Sequence, residues 1–282
     1  MAITAAELVR DIDGLVTLPD VYFRINRLIE NPQSSTTDIA KAVSQDPSFT
    51  LRLLQVANSS LFSFPSAVTT VAKAVSIIGT AQIRTLALAM SVAKSFAGLP
   101  NELVSMENFW RHSLFCALIA RHLAKQARRC DPDSLFTAGL LHDIGELVIF
   151  NRLPEQATEA LLMVLDSQDE IQVHAAEHHV MGLDHAEVGG ELARQWNLPT
   201  LLQECIAYHH AIASAKLHPR EVAIVHLANV FALMAELDSL DPADVPPIDP
   251  LTWELTGLEE DSAETAVRAA QAEIAEVERL FT

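Results

Sequence analysis

A histidine and an aspartate stand side by side in GLLHDIGELVIF, residues 139–150. His142 and Asp143 interrupt an otherwise mostly apolar, helix-like run. Imidazole and carboxylate are standard ligands for zinc, iron and manganese. Neighbouring residues on a helix point about 100° apart, so both side chains can reach one ion at a shared groove. The chain holds eleven histidines, all within residues 112–226. His112 lies in NFWRHSLFCALIARHLA, His185 in GLDHAEVGG, and His209 and His210 close ECIAYHH. With His142 and Asp143 they form a candidate ligand set for one or two divalent ions: iron, manganese or zinc. Asp143 is the natural bridge between two ions, since a carboxylate binds two cations and a neutral imidazole does not. A structural role stays open for each residue. The pair at 142–143 also suits a buried hydrogen-bonded couple, and His112 and His185 suit packing. His209 and His210 end a helix, where the dipole favours imidazolium with or without metal. His226 reads as a core histidine. His174, His178 and His179 read as solvated or supporting groups in a connecting region.

The elements that must position these residues read as helices almost throughout. Asp46-Pro47 is a helix start, a carboxylate cap followed by proline at the first helical position. Phe49, Leu53, Leu54 and Val56 then share a face. Gly79 closes TTVAKAVSIIG, and Thr80 can cap the run that follows. Asp184 can cap HAEVGGELARQW, and Pro199 opens TLLQECIAYHH. The strongly apolar segment 221–237, which carries His226 and Asn229, predicts a buried helix. Strict alternation is absent, so few or no strands are expected. The proline-rich run DSLDPADVPPIDP, 238–250, predicts a linker or wrapping loop. The acidic end has helical spacing at Val267, Ala270, Ile274, Val277 and Phe281, which predicts a terminal helix that packs back. The segment AVSIIG-TAQIRTLALA has helix-turn-helix spacing. Its second helix is mostly apolar and lacks base-reading side chains, so it reads as two packed helices.

The totals narrow the function classes. The 282 residues suffice for a sizeable core, half are hydrophobic, and the net charge is −18. The charge is uneven. Residues 1–100 hold 8 basic and 7 acidic side chains, whereas 236–282 hold 2 and 13. Such a chain repels a phosphate backbone, which argues against nucleic-acid binding. The longest apolar runs fall short of the ~20 residues that span a bilayer, so no membrane partner is expected. The start MAITAAELVRDIDG has early acids and no apolar stretch of the signal-peptide kind, so a cytoplasmic location is expected. Cys116, Cys130 and Cys205 are far apart and odd in number, which fits reduced, packed thiols.

The order of the histidine elements resembles the HD superfamily of metal-dependent phosphohydrolases. That pattern runs from a first histidine, through a His-Asp pair, to later histidines and a final aspartate. LPDVYFRINRLIENPQSSTTDIAKAVSQDPSFTLRLLQVANSSLF is similar to the start of the HDOD domain, a bacterial HD-related output module. The likeness continues through LFTAGLLHDIGELVIF and LDHAEVGGELARQWNLP to AYHH, roughly residues 12–212. It implies an all-α, two-lobed architecture. An N-terminal helical lobe would occupy 1–100 and an HD-like helical bundle 101–235. An acidic extension, 236–282, would supply a linker and terminal helix. It also implies a signal-transduction module acting through a signalling protein partner or a phosphorylated small ligand. The retained ligand positions are His112, His142, Asp143, His185, His209 and His210. Two departures stand out. The final HD aspartate falls on Asn229. In HD-GYP relatives that degrade cyclic di-GMP, a glycine and then a lysine follow the pair after one residue; here Glu146 takes the lysine's place. A carboxylate there repels a phosphodiester, so that hydrolysis is not expected. The alternative is a metal-dependent phosphohydrolase for another phosphoester or nucleotide, in which an ion lowers the pKa of bound water toward ~7.

Overall fold

A computed structural model describes residues 3–10, 20–58, 67–95, 105–127, 129–166 and 172–281. The expected domain start at residue 12 and the expected lobe boundary at 100–101 lie outside the described residues. The described residues are helical, with no strand among them. None of their helices is by itself long and apolar enough to cross a membrane. The chain divides into two compact units, one of residues 14–97 with 272–282, the other of residues 1–13 with 98–271.

The first unit contains α2 (Asp20–Glu30), α3 (Thr36–Ser44), α4 (Pro47–Ala57), α5 (Val71–Ile78) and α6 (Thr80–Ser95). Short polar side chains start α3, α4 and α5 by taking amide protons that the first turn leaves unpaired. Ser35 and Asp38 cap α3 reciprocally, and Asp46 accepts from the Phe49 amide at 2.9 Å to open α4. Gly79, at φ +84°, ends α5. A bend of 109° follows. Thr80 is the first residue of α6 rather than a cap before it. Ile25, Val43, Phe49, Leu53, Val75 and Ile83 form the core of this unit. The α6 face with Ile83, Leu86, Ala87 and Val92 is also buried, so the segment of helix-turn-helix spacing is used for packing.

The second unit contains α1 (Ala5–Arg10), α7 (Met106–Gln126), α8 (Pro132–Leu141), α9 (Ile144–Arg152), α10 (Pro154–Asp166), α11 (Val173–Met181), α12 (His185–Gln195), α13 (Thr200–Tyr208), α14 (Pro219–Leu237), α15 (Leu251–Thr256) and α16 (Ser262–Phe281) as far as Gln271. Helix α7 packs against α8 and α14. Leu114, Phe115, Leu118 and Ile119 on α7 meet this core with 0–1% exposure. Each such side chain contributes about 1.5–3 kcal/mol of burial. Helix α14 is apolar over most of its surface and buries residues 222–225 and 227–228. Two glycines allow close backbone crossings. A Cβ on Gly139 would fall 2.9 Å from the Ala117 backbone, which lets α8 lie tight on α7. A Cβ on Gly145 would fall 1.9 Å from the His185 carbonyl oxygen, so α9 and α12 meet backbone to backbone.

After Asp238 (φ +52°) ends α14, Asp241 caps a short 3-10 turn at Pro242–Asp244. The acidic extension does pack back. Arg220 Nε donates to the Leu255 carbonyl at 3.0 Å, and Gln271 Nε2 donates to the Ala235 carbonyl at 3.2 Å. Cys116 and Cys205 are buried, Cys130 is half-buried, and all three are free.

Candidate metal centre

GLLHDIGELVIF is not one helix. Helix α8 stops at Leu141, His142 is its C-cap, and α9 starts at Ile144 after Asp143. Asp143 occupies the cap position of α9 at φ −98°, ψ 13°, and its side chain makes no capping hydrogen bond. The break explains how two adjacent residues face one place: the chain turns between them, and the carboxylate is left free to point inward.

The other ligands also come from helix ends or from helix faces held against them. His209 is the C-cap of α13, and His185 is the first residue of α12, after the Asp184–Glu187 capping box. His112 lies on α7. All six expected residues come together. The ring centroids of His142 and His209 are 5.0 Å apart, those of His112 and His142 5.5 Å, and those of His185 and His210 5.0 Å. The two Asp143 oxygens face different histidines. Oδ2 lies 2.9 Å from His142 Nε2 and 3.7 Å from His112 Nε2. Oδ1 lies 3.4 Å from both His185 Nε2 and His209 Nε2. His210 does not approach Asp143 so closely; its Nε2 is 3.0 Å from His185 Nε2.

Hydrogen bonds decide which ring nitrogens are available. A carbonyl oxygen only accepts, so Nδ1 donates from His142 to Gly139 at 2.8 Å and from His209 to Ile206 at 2.9 Å. In the neutral rings, Nε2 then carries the lone pair. His142 Nε2, His209 Nε2 and Asp143 Oδ1 are buried without a well-aligned hydrogen bond, although the other carboxylate oxygen, Oδ2, lies 2.9 Å from His142 Nε2. Unsatisfied buried polar atoms are costly, and these three gather around one carboxylate, His142 on the Oδ2 side and His209 on the Oδ1 side, as groups meant to hold something else would. The spacing fits. With metal–ligand bonds of about 2.1 Å, ligand atoms at right angles sit about 3.0 Å apart, and tetrahedral ones about 3.4 Å. The observed distances of 2.9, 3.4 and 3.4 Å match such edges. The donor set of imidazoles and one carboxylate suits zinc, iron or manganese.

Charge is balanced among these groups. Burial raises Asp143, but the neighbouring His142 overrides it and holds the carboxyl well below its ordinary value. Burial lowers His142, and the Asp143 charge more than reverses this. Burial likewise works against the His185 cation, yet the Glu177 carboxylate beside it brings its pKa up to about 10. Burial brings His209 down to about 4, with the charges of His142 and His185 adding to it. Burial and then the Asp143 charge push Glu146 up to about 7. His209 and His210, the latter also lowered by burial and its histidine neighbours, are therefore bare imidazoles at neutral pH.

The centre floors a cavity of roughly 1180 Å³. His112, Asp143, His185 and His210 reach its lining, while His142 and His209 lie beneath with 0% exposure. Residues 243–250 of the proline-rich loop form part of its wall, as do Glu146 and Glu236.

Several functional neighbours escape local sequence reasoning. Glu177 is 2% exposed and accepts from the His185 ring and backbone. Glu236 bonds His112 Nδ1 at 3.2 Å, and Asn229 Oδ1 lies 3.0 Å from His112 Nε2. His226 is half-buried on the cavity wall rather than in the core, and its Nδ1 donates to the His209 carbonyl at 2.8 Å. His174 stacks on His210 with centroids 4.0 Å apart, whereas His178 and His179 are exposed. The available signal for Glu177 was the tight turn after α11. Gly182 at φ +77° and the Asp184 cap fold α12 back, so an acid eight residues before His185 returns to it.

Comparison with known proteins adds a family frame. Residues 15–212 match the HDOD domain model. An uncharacterized protein of Treponema pallidum (strain Nichols) is 28% identical over 212 residues, covering 75% of this chain. The chain spans only 40% of that relative's length. The crystal structure of a presumed phosphohydrolase from Shewanella amazonensis SB2B is similar at 25% identity, with a TM-score of 0.79 over 99% of each chain. An HDOD domain protein of unknown function from Geobacter sulfurreducens shares the fold at 24% identity, with a TM-score of 0.77 over 98% of this chain and 97% of its own.

Proposed function

Because this chain belongs to the HDOD domain family, and because bare ligand atoms converge beneath its cavity, we propose that it is a regulatory module built on a metal-binding core. One or two divalent ions, iron, manganese or zinc, bind at Asp143 with His142, His185 and His209, with His112 and His210 at the two flanks. The state of the cavity above is passed to a signalling protein partner. The observation that carries the metal reading is the trio of buried atoms on His142, His209 and Asp143 that no well-aligned hydrogen bond satisfies. The regulatory reading draws on family membership and on the cavity wall. Glu236, Asp244 and Asp249 line it against one arginine, Arg111, and such a wall disfavours a phosphodiester.

A second reading, phosphoester hydrolysis, is favoured by one specific feature. Asp143 turns one oxygen to each histidine group, as a carboxylate between two ions does. The Shewanella relative's description points the same way. The bound ions would supply charge stabilisation on phosphoryl oxygens. Asp143 and the histidines would hold them, and Glu146 would meet the substrate side of the cavity.

Elemental analysis of tag-free protein tests the first step. Near-stoichiometric metal in the wild type, lost in His142→Ala, is the expected result; no metal after loading would refute it. Asp143→Ala then separates the readings. Loss of phosphatase activity in that variant supports hydrolysis, while absent turnover in the loaded wild type with retained partner binding in the variant supports the module.

A further inference from the structure

We propose that Glu177 is the positioning residue of this centre, holding His185 so that only its Nε2 is presented as a ligand. The inference rests on the metal-binding reading above. Its physical root is the direction of the helices. His142 and His209 sit at helix C-termini, where the last carbonyls lack intrahelical partners. Their Nδ1 protons therefore return to a carbonyl three residues back, Gly139 or Ile206. His185 stands at the opposite end of a helix, as the first residue of α12, and has no helical carbonyl behind it. What it has is an unpaired backbone N–H. An acceptor from elsewhere must serve both groups, and Glu177 on α11 does so.

One oxygen, Glu177 Oε2, accepts from the His185 backbone N–H at 2.9 Å and lies 2.7 Å from the ring Nδ1. The two bonds fix the main chain and the ring of one residue from one point. They leave Nε2 aimed at Asp143 Oδ1, 3.4 Å away, and at His210 Nε2, 3.0 Å away. A carboxylate is also the favoured acceptor at a helix N-terminus, where the dipole stabilises negative charge. An acid buried to 2% exposure is rare unless paired, and His185 is the partner. Carboxylate–histidine pairs of this kind orient metal ligands, and losing one typically costs 10–100-fold in metal affinity.

The test compares zinc and cobalt(II) affinity by chelator competition, with the cobalt absorption spectrum as a readout of the ligand set. Wild type, Glu177→Ala, Glu177→Gln, Glu177→Asp and His185→Ala are measured side by side. A glutamine carbonyl can accept both bonds, so Glu177→Gln is expected to stay within about threefold of wild type. Glu177→Ala is expected to fall roughly 10–100-fold, with the spectrum of His185→Ala. A folded Glu177→Ala with wild-type affinity and spectrum overturns the proposal. So does Glu177→Gln falling as far as Glu177→Ala, which would make the carboxylate itself a ligand. If Glu177→Ala does not fold, the order of the other two decides. Aspartate keeps the charge but is one methylene too short, so it should bind more weakly than glutamine; the reverse order overturns the assignment. Wild type that takes up neither metal overturns this proposal together with the metal reading. Wild type that binds beside an unaffected Glu177→Ala overturns this proposal alone.

Discussion

His142 and Asp143 sit where α8 stops and α9 starts, and each ligand around them is committed by a different hydrogen bond. That division of labour makes residue-level predictions specific. His209→Ala should lose metal much as His142→Ala does, because both remove a fully buried Nε2 beside the Asp143 carboxylate. His226→Ala should keep its metal, since His226 touches the centre only through the His209 carbonyl. Metal content per chain, measured on the three proteins, checks the contrast; equal loss in all three would refute it. The candidate ligands were legible as residue types. Glu177, Glu236 and the cavity position of His226 were not, because each depends on a neighbour from another helix.

At the scale of elements, the site depends on crossings that leave no room for a methyl group. Gly145→Ala would drive a Cβ to 1.9 Å from the His185 carbonyl oxygen, which the α9–α12 contact cannot absorb without moving backbone. A destabilisation of about 1–3 kcal/mol or more is expected, read as a lower urea midpoint, with weaker metal binding as His185 shifts. Asp184→Ala removes the cap of the same helix. It should cost about 1 kcal/mol, a smaller midpoint shift than Gly145→Ala produces. Caps and glycine stops such as Asp46, Gly79 and Asp184 were readable because they act on residues within a turn. The helix break at 142–143 was not, since no proline or glycine separates the two apolar runs, and only the pull of packing on both sides turns the chain there.

For the whole molecule, binding at a site assembled from α7, α8, α12 and α13 stabilises the unit that contains it. Free ion at 100 times its dissociation constant contributes about 2.7 kcal/mol. For a unit of this size that corresponds to a rise of roughly 5–10 °C in Tm. Calorimetry of chelator-treated and reloaded protein should show the rise in the wild type and its absence in His142→Ala. The net charge of −18 makes a second global prediction. Fluorescence anisotropy with a random-sequence duplex should detect no binding at low salt, where electrostatic attraction is strongest; tight binding there would contradict the packed role of α5 and α6.

The sequence by itself determined the helical class, most helix starts and stops, and the residue types able to hold a cation. Those signals are local: a cap acts on the next turn, and periodicity marks which face of a helix is apolar. Only the tertiary structure decided that His112, His142, His185 and His209, spread over nearly a hundred residues, point at the two oxygens of one aspartate. It alone decided which ring nitrogens are free and that Glu177 stands behind His185. Periodicity says which side of a helix is buried, not what it is buried against. That choice belongs to the crossings, set here by backbone contacts at Gly139 and Gly145.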